Sequence, residues 1–537
     1  MSRPVPRLQR PGVAVLALTL LLAVLAPAAA SAQPRDRRCS HAANVTYDRL
    51  LSCVSADSVM EHLEELQAIA DANGGTRASG TPGYDASVDY IVEQLTAAGY
   101  EVTTQDFDFF YYDETAPSRF AQVTPTPTEY VEPDDFYTAT YSGSGDVQAA
   151  PVVPVDINLD GDRANTSGCE PEDFADFPEG AVALVQRGTC PFGQKALNAD
   201  AAGAAGVLIF NQGDDNPNDD RFGVVFATLG EPGVTIPVFG ISFDLGVELA
   251  TGEDVTVDMF AETIADERVA TNVIAETPWG DPDNVVMVGA HLDSVPEGPG
   301  INDNGSGSAA VLDVALALRN ARTPNKVRYA WWGAEEFGLL GSDEYVYGLS
   351  DEERDDIALY LNFDMVGSPN YVRFVYDGDG DAFGLEGPEG SAEIEQFFLD
   401  YYGLLGLASE PTEIDFRSDY SAFFDFDIPF GGLFTGAEGE KTPEQAAVYG
   451  GTAGEWYDPC YHMACDTIGN IAHDVLDVNV DAIAAAVLTY AFSTEDVNGV
   501  PGRKVPGRPL ERVAPNPRAG VGGGSGGGHL LPAGALA

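Results

Sequence analysis

NVVMVGAHLDSVPEGPGINDNGSGSAAVLDVALALR, Asn284–Arg319, joins an apolar run, a small-residue turn and an apolar helix. Its Val285 to Ala290 run is short, apolar and β-branched, and reads as a strand buried on both faces of a parallel sheet. The run ends in His291-Leu292-Asp293, which puts His291 and Asp293 at the strand's carboxyl end. In open α/β sheets ligands bind at that edge, because helices cover the faces and leave the crevice at the strand ends free. A small-residue turn carrying Asp303 then leads into an Ala/Leu/Val-rich helix starting near Ser306. A lone histidine in a polar loop is usually structural; three further stretches change that balance.

The same texture continues downstream. Val327–Trp332, Ile357–Phe363, Tyr371–Tyr376 and Ile428–Phe434 are apolar strands separated by helices, and a helix at Asn479–Phe492 closes the series. Alternation of this kind predicts an α/β fold with a mixed, mostly parallel sheet flanked by helices. Upstream, SVMEHLEELQAIADAN and ASVDYIVEQLTAAG show helical spacing, the first stopped by Gly74-Gly75 and the second introduced by Gly80-Thr81-Pro82-Gly83. A strand at Glu101–Phe109 follows, and these elements need the later sheet to pack on. Residues 112–267 differ, with Pro, Thr, Tyr and Asp around short β runs at Ala150–Val155, Ala181–Val185, Gly206–Phe210 and Gly233–Gly240. The expectation is one domain in two parts, 33–111 and 268–497, interrupted by a β-rich insert at 112–267. Residues 498–537, rich in Gly, Pro and Arg, read as a flexible tail.

Composition narrows the function. The chain has 537 residues, 44% of them hydrophobic, which excludes a disordered or fibrous protein. Residues 1–32 carry Arg3, Arg7 and Arg10, an apolar run Val13–Leu25 and Ala30-Ser31-Ala32, the parts of a secretory signal. That run is too short for a convincing membrane span. Secretion, no membrane partner and a monomer are expected. The six cysteines fall into close pairs, Cys39 with Cys53, Cys169 with Cys190 and Cys460 with Cys465, and an exported protein forms disulfides. The formal charge of -58, with only four lysines, makes nucleic acid a poor partner. It serves solubility by self-repulsion, or a saline habitat.

Four places carry metal-ligand chemistry. Beside His291, Asp293 and Asp303, the adjacent Glu335 and Glu336 emerge where the Trp331-Trp332 strand ends, and Asp364 terminates the strand in LYLNFDMVGS. Adjacent carboxylates in an apolar segment are costly unless a cation neutralises them. The fourth place is DPCYHMACDT, where Cys460 and Cys465 bracket Tyr461 and His462. Of the six histidines, His41, His62, His473 and His529 are placed near the ends or on polar helix surfaces, leaving His291 and His462 in the most constrained loops. Two histidines and several carboxylates without a thiolate suit zinc, and five ligands suit two metals sharing one. One of the Glu335-Glu336 pair can bind metal while the other moves a proton.

At this point the sequence resembles the secreted zinc aminopeptidases of peptidase family M28, especially the actinobacterial leucine type. The blocks NGGTRASGTPGYDASVDYIVEQLTAAGY, GAHLDSV, GINDNGSGSAAVL, AWWGAEEFGLLGS, LNFDMVGSPN, RSDYSAFF, GGLFTGAEG and GGTAGEWYDPCYHMACDT carry the resemblance, across 57–99 and 270–492. DFPEGAVALVQRGTCPFGQKALNADAAGAAGVLIFN in turn resembles the protease-associated (PA) domain. The M28 resemblance implies two zinc ions. His291 and Asp364 would be terminal ligands, Glu336 and His462 the ligands of the remaining positions, Asp303 the bridge, and His291 and His462 would serve different metals. It implies Glu335 as general acid/base acting on a metal-bridging hydroxide, Asp293 as the carboxylate orienting His291, and Tyr461 as the hydroxyl stabilising the tetrahedral intermediate. Arg417 would contact substrate or product, and Met365 and Phe434 would wall an apolar pocket for the first side chain. Peptides with a free N-terminus are the implied partners. In some relatives calcium binds near the last helix, where Asp477 and Asp481 stand. Their spacing of four is also that of an ordinary acidic surface, and Cys53 occupies the region of the matching N-terminal carboxylate. The alternatives are an M28-like carboxypeptidase and a receptor-type binding protein with a PA module.

Overall fold

In the computed structural model, which describes residues 37–161, 163–214 and 220–510, the Asn284–Arg319 stretch lies at the heart of the sheet. The signal reading of 1–32 and the end of the tail fall outside the described residues. Strand Asp281–His291 runs parallel to Asn325–Trp332 on one side and to Ile357–Phe363 on the other, and Phe430–Phe434 extends the parallel set. Ile357–Phe363 is buried throughout, as is the chain from Asn284 to His291. Burial on both faces is why these strands read as unbroken apolar runs. The flanks are antiparallel: Phe374–Tyr376 pairs against Phe430–Phe434, and Thr256–Glu276 against Asn325–Trp332.

Helices Ala56–Ala72, Pro82–Ala98, Gly307–Leu318 and His473–Phe492 share one core with one sheet face. Ser55 and Thr81 cap the first two through their side chains, and Gly99, at φ 90°, ends the second in the left-handed conformation glycine adopts freely. Every residue of Gly307–Leu318 is buried, as expected of a helix apolar all round. His473–Phe492 is long and apolar enough to cross a membrane by length and composition, yet 78% of its most apolar window is buried within the fold. The opposite sheet face packs Met287, Ala330, Trp332, Tyr360 and Phe430 against Tyr420 and Phe423.

Several elements depart from the sequence reading. The strand expected at Glu101–Phe109 runs on to Thr124 and pairs with Thr256–Glu276 from Glu101 opposite Glu276 to Thr124 opposite Thr256. Register breaks between Glu114 and Ala116, Ala116 and Arg119, and Gln122 and Thr124 interrupt its alternation, which hides a strand of this length from a period-two reading. The far end of this ribbon carries residues 125–255. There Gly145–Pro154, Val182–Gln186, Gly206–Phe210 and Val238–Ile241 form a parallel set with cores of their own. The strand expected from Gly233 begins only at Val238, just after Pro237, and Tyr371–Tyr376 shortens to Phe374–Tyr376. Helix Ser391–Leu405, which buries Ile394, Phe398, Tyr401 and Tyr402, joins the expected set. His62 does not lie on a polar surface. It is buried, its Nδ1 2.6 Å from the Tyr90 hydroxyl, because its helix packs that face against Gly307–Leu318. All three cysteine pairs are disulfides.

The helix after the central turn presses on the strand that leads to Asp364: a Cβ at Gly307 would lie 2.1 Å from the Phe363 carbonyl oxygen. Gly307→Ala is therefore expected to destabilise the fold by about 1–3 kcal/mol. Gly348→Ala, in a helix with nothing within 4 Å of its new Cβ, should not. Denaturant midpoints of the two variants check this, and equal midpoints would refute the close contact.

Candidate metal centre

Three adjacent parallel strands deliver most of the site. His291 ends its strand opposite Trp332, Glu335 and Glu336 follow Trp332, and Asp364 follows Phe363 on the neighbouring strand. The fourth contribution, His462, comes from the loop closed by Cys460–Cys465. Two groups result, His291 with Asp303 and Asp364, and Asp303 with Glu336 and His462, each with its ligand atoms within 4.8 Å of one another. His291 Nε2 is 3.3 Å from Asp303 Oδ1 and 3.2 Å from Asp364 Oδ1. His462 Nε2 is 3.2 Å from Asp303 Oδ2 and 3.1 Å from Glu336 Oε2. Ligands about 2.0 Å from a tetrahedral metal stand about 3.3 Å apart, so the donors are already spaced as the edges of such a polyhedron.

The electrostatics agree with that spacing. Burial alone would lower the His291 pKa, but Glu335, Asp364 and hydrogen bonds to Asp293 and Asp303 outweigh it and push it well above the ordinary value. His462, which burial would also lower, is raised to about 11 by Glu336 and Asp303. Burial pushes Glu336 up to about 7, helped by Asp303 and opposed by His462. Burial likewise raises Glu335, against His291 and with Asp364, Asp419 and Glu336. Such a concentration of buried carboxylate holds positive charge strongly, and a dication meets that demand more fully than a proton. Glu336 Oε1 is buried and has no hydrogen-bond partner, so a cation held by this group would meet an otherwise unsatisfied carboxylate oxygen.

The surrounding residues hold these donors in place. Asp293 Oδ1 lies 3.5 Å from His291 Nδ1 and accepts the Glu335 backbone N–H, so one carboxylate orients a histidine and the acidic pair together. Ser418 Oγ donates to Asp364 Oδ2 at 2.7 Å. Asp466 accepts the backbone N–H groups of Asn302 and Asp303, tying the Asp303 turn to the disulfide loop. The buried Arg77 guanidinium donates to the carbonyls of Leu292, Pro299 and Gly300 and braces the turn from the other side. Asn304, within a formal glycosylation triplet, is fully buried: it donates to the Phe363 carbonyl and accepts from Gly307 and Met365. Ala334, Met365 and His462 all adopt φ near +50°, each beside or at a donor, and the cost of those conformations is borne by the surrounding bonds. Arg77, Ser418 and Asp466 lie inside recognisable blocks, yet nothing in their local spacing separates them from ordinary loop residues.

The donors open into a cavity of about 660 Å³. Met365, Phe374, Phe416 and Phe434 give it an apolar wall, and Arg417, Tyr461 and Glu438 stand at its polar side. Arg417 pairs with Glu438 at 2.8 Å and donates to the Tyr461 hydroxyl at 3.1 Å, while the Tyr461 ring stacks on His462. Asp477 and Asp481 lie away from this site. Asp477 accepts the Ala56 N–H, and burial with the nearby Asp477 charge raises Asp481 to about 8, its Oδ1 buried and unpartnered. This pair is therefore not the ordinary acidic surface that its spacing allowed. Since Asp303 belongs to both groups, Asp303→Ala should bring bound metal below one ion per chain, whereas Asp364→Ala or Glu336→Ala should leave about one. Elemental analysis of the purified variants checks this, and equal occupancy in all three would show that Asp303 is not shared.

Comparison with known proteins matches residues 272–487 to peptidase family M28 and residues 147–249 to the PA domain. An aminopeptidase of Pseudomonas aeruginosa is 52% identical over 463 residues, 86% of each chain. Leucine aminopeptidase 2 of Trichophyton rubrum is 40% identical over 472 residues, 86% of this chain and 89% of its own. A solved zinc aminopeptidase from Bacillus subtilis matches with a TM-score of 0.50 at 26% identity, over 81% of this chain and 94% of its own. The chain belongs to peptidase family M28 and carries a PA domain.

Proposed function

We propose that this chain is a secreted dizinc aminopeptidase that removes a large apolar N-terminal residue, of the leucine type, from peptides. The observation that carries the reading is the Asp303 carboxylate, which offers one oxygen to each of two histidines. In this reading His291, Asp303 and Asp364 would hold one zinc ion and Asp303, Glu336 and His462 a second. The all-nitrogen-and-oxygen donor set suits zinc, the metal of the Bacillus subtilis relative. Zinc held there supplies Lewis acidity toward the scissile carbonyl and acidifies the attacking water.

The chain's own groups supply the rest. The free amino group of the substrate meets Glu335 and Asp364, and its first side chain enters the pocket walled by Met365 and Phe434. Glu335 takes the proton of the attacking water and returns it to the leaving amine, a role open to it because it borders both donor groups without belonging to either. Asp293 keeps His291 in one tautomer and orientation. The Tyr461 hydroxyl, held by Arg417, stabilises the oxyanion, a contribution of roughly 3–4 kcal/mol for such donors. Arg417 itself faces the cavity near substrate or product.

Residues 33–111 and 268–497 form the catalytic domain in this reading, with 112–267 as the PA insert. The signal pattern of 1–32 and three disulfides support secretion. The half-buried Asp477 and Asp481 make a candidate calcium position. The acting unit is taken as the monomer.

Glu335→Ala should keep both metals yet lose about 100- to 10,000-fold in kcat toward leucyl substrates. Turnover near wild type would remove Glu335 from the mechanism. Amino-blocked peptides should resist cleavage while their free-amino counterparts are hydrolysed; cleavage of both at one rate would favour the carboxypeptidase reading. Chelation should abolish activity and added zinc should restore it.

A further inference from the structure

A second set of carboxylates converges where the pocket wall ends. Strand Phe374–Tyr376 runs into Asp377-Gly378-Asp379-Gly380-Asp381, with oxygen donors at alternate positions, as in loops that wrap calcium. Asp377, Asp379 and Glu395 of helix Ser391–Leu405 each bring a carboxylate oxygen within 4.8 Å of the others. Acidic clustering by itself identifies nothing, and the feature that points to a ligand is Asp377. Its side chain is fully buried. Oδ2 accepts the backbone N–H groups of Ala382 and Phe383, but Oδ1 is closed to solvent and has no hydrogen-bond partner.

A buried carboxylate oxygen without a partner is expensive, and none of the ion pairs among the described residues supplies a cation to these three groups. Glu395 is buried as well, and its Oε2 accepts the N–H groups of Gly378 (3.0 Å) and Asp379 (3.2 Å), so the loop is already folded around it. Asp379, by contrast, is exposed, which leaves one side open to water. The set contains only oxygen donors, without imidazole or thiolate, and that chemistry favours a hard cation over zinc.

We propose that Asp377, Asp379 and Glu395 bind a calcium ion that clamps the loop after strand Phe374–Tyr376 to helix Ser391–Leu405. The consequence reaches the substrate pocket. Phe374, Tyr376 and Thr412 line the cavity, and the Asp377 N–H donates to the Thr412 carbonyl at 3.0 Å. Calcium bound at this turn holds the pocket wall without touching the reacting atoms.

The test titrates the full-length, zinc-loaded protein with calcium chloride, following bound calcium by calorimetry and thermal unfolding in parallel. Wild type should bind calcium and unfold at higher temperature in its presence. Asp377→Asn, which keeps an acceptor for Ala382 and Phe383, should weaken this binding about tenfold or more with zinc content unchanged. Asp379→Asn alters an exposed side chain and should weaken it similarly, and it decides the matter if Asp377→Asn does not fold. Asp481→Asn should leave this binding event intact. No calcium response in wild type, wild-type titration of the Asp379→Asn protein, or a response lost only in Asp481→Asn would each overturn the proposal.

Discussion

One carboxylate holds the site together. Asp303 presents its two oxygens to the first and the last of the five donors in chain order, His291 at the end of the central strand and His462 in a disulfide-closed loop. The local structure serves that placement. Gly307 brings the following helix against the Phe363 carbonyl, Asn304 is locked by three hydrogen bonds, Asp466 grips the turn from the His462 side, and Arg77 from beneath. A buried turn carrying this many satisfied polar groups has few alternative arrangements, which makes the donor positions precise.

The parallel sheet explains why so much charge can be gathered in one place. Neighbouring strand ends lie side by side, so His291 and the residues just past Trp332 and Phe363 meet at one edge of the sheet. The apolar cores on both faces secure those ends, and the acidic residues confine their cost to the rim, where a dication can offset it. The apolar wall of Met365 and Phe434 is then a continuation of the same strand ends, which places the pocket beside the donors.

The ribbon of Glu101–Thr124 with Thr256–Glu276 joins the PA region to this framework. Its inner half is an edge of the central sheet and its outer half pairs with the strand Gly145–Pro154. A module built this way leaves the donor strands untouched, since no residue of the insert contributes to either metal group among the described residues.

Much of this was legible in the chain itself. Unbroken apolar runs, each ended by His or acidic residues, identify the buried parallel strands and their functional ends, because burial on both faces suppresses alternation and the strand end exposes the first polar side chain. The bracket of Cys460 and Cys465 around Tyr461 and His462 is equally a property of local sequence. Tertiary structure alone decided which donors meet: that Asp303 faces both histidines, that Ser418 supports Asp364, that Asp466 and Arg77 clamp a turn far from them in the chain, and that His62 and Asp481 are turned inward. It also set the length of the ribbon, whose register breaks erase the periodic signal. The physical reason is common to these cases: local sequence fixes conformation and which face is apolar, while distances between side chains hundreds of residues apart depend on how the faces pack.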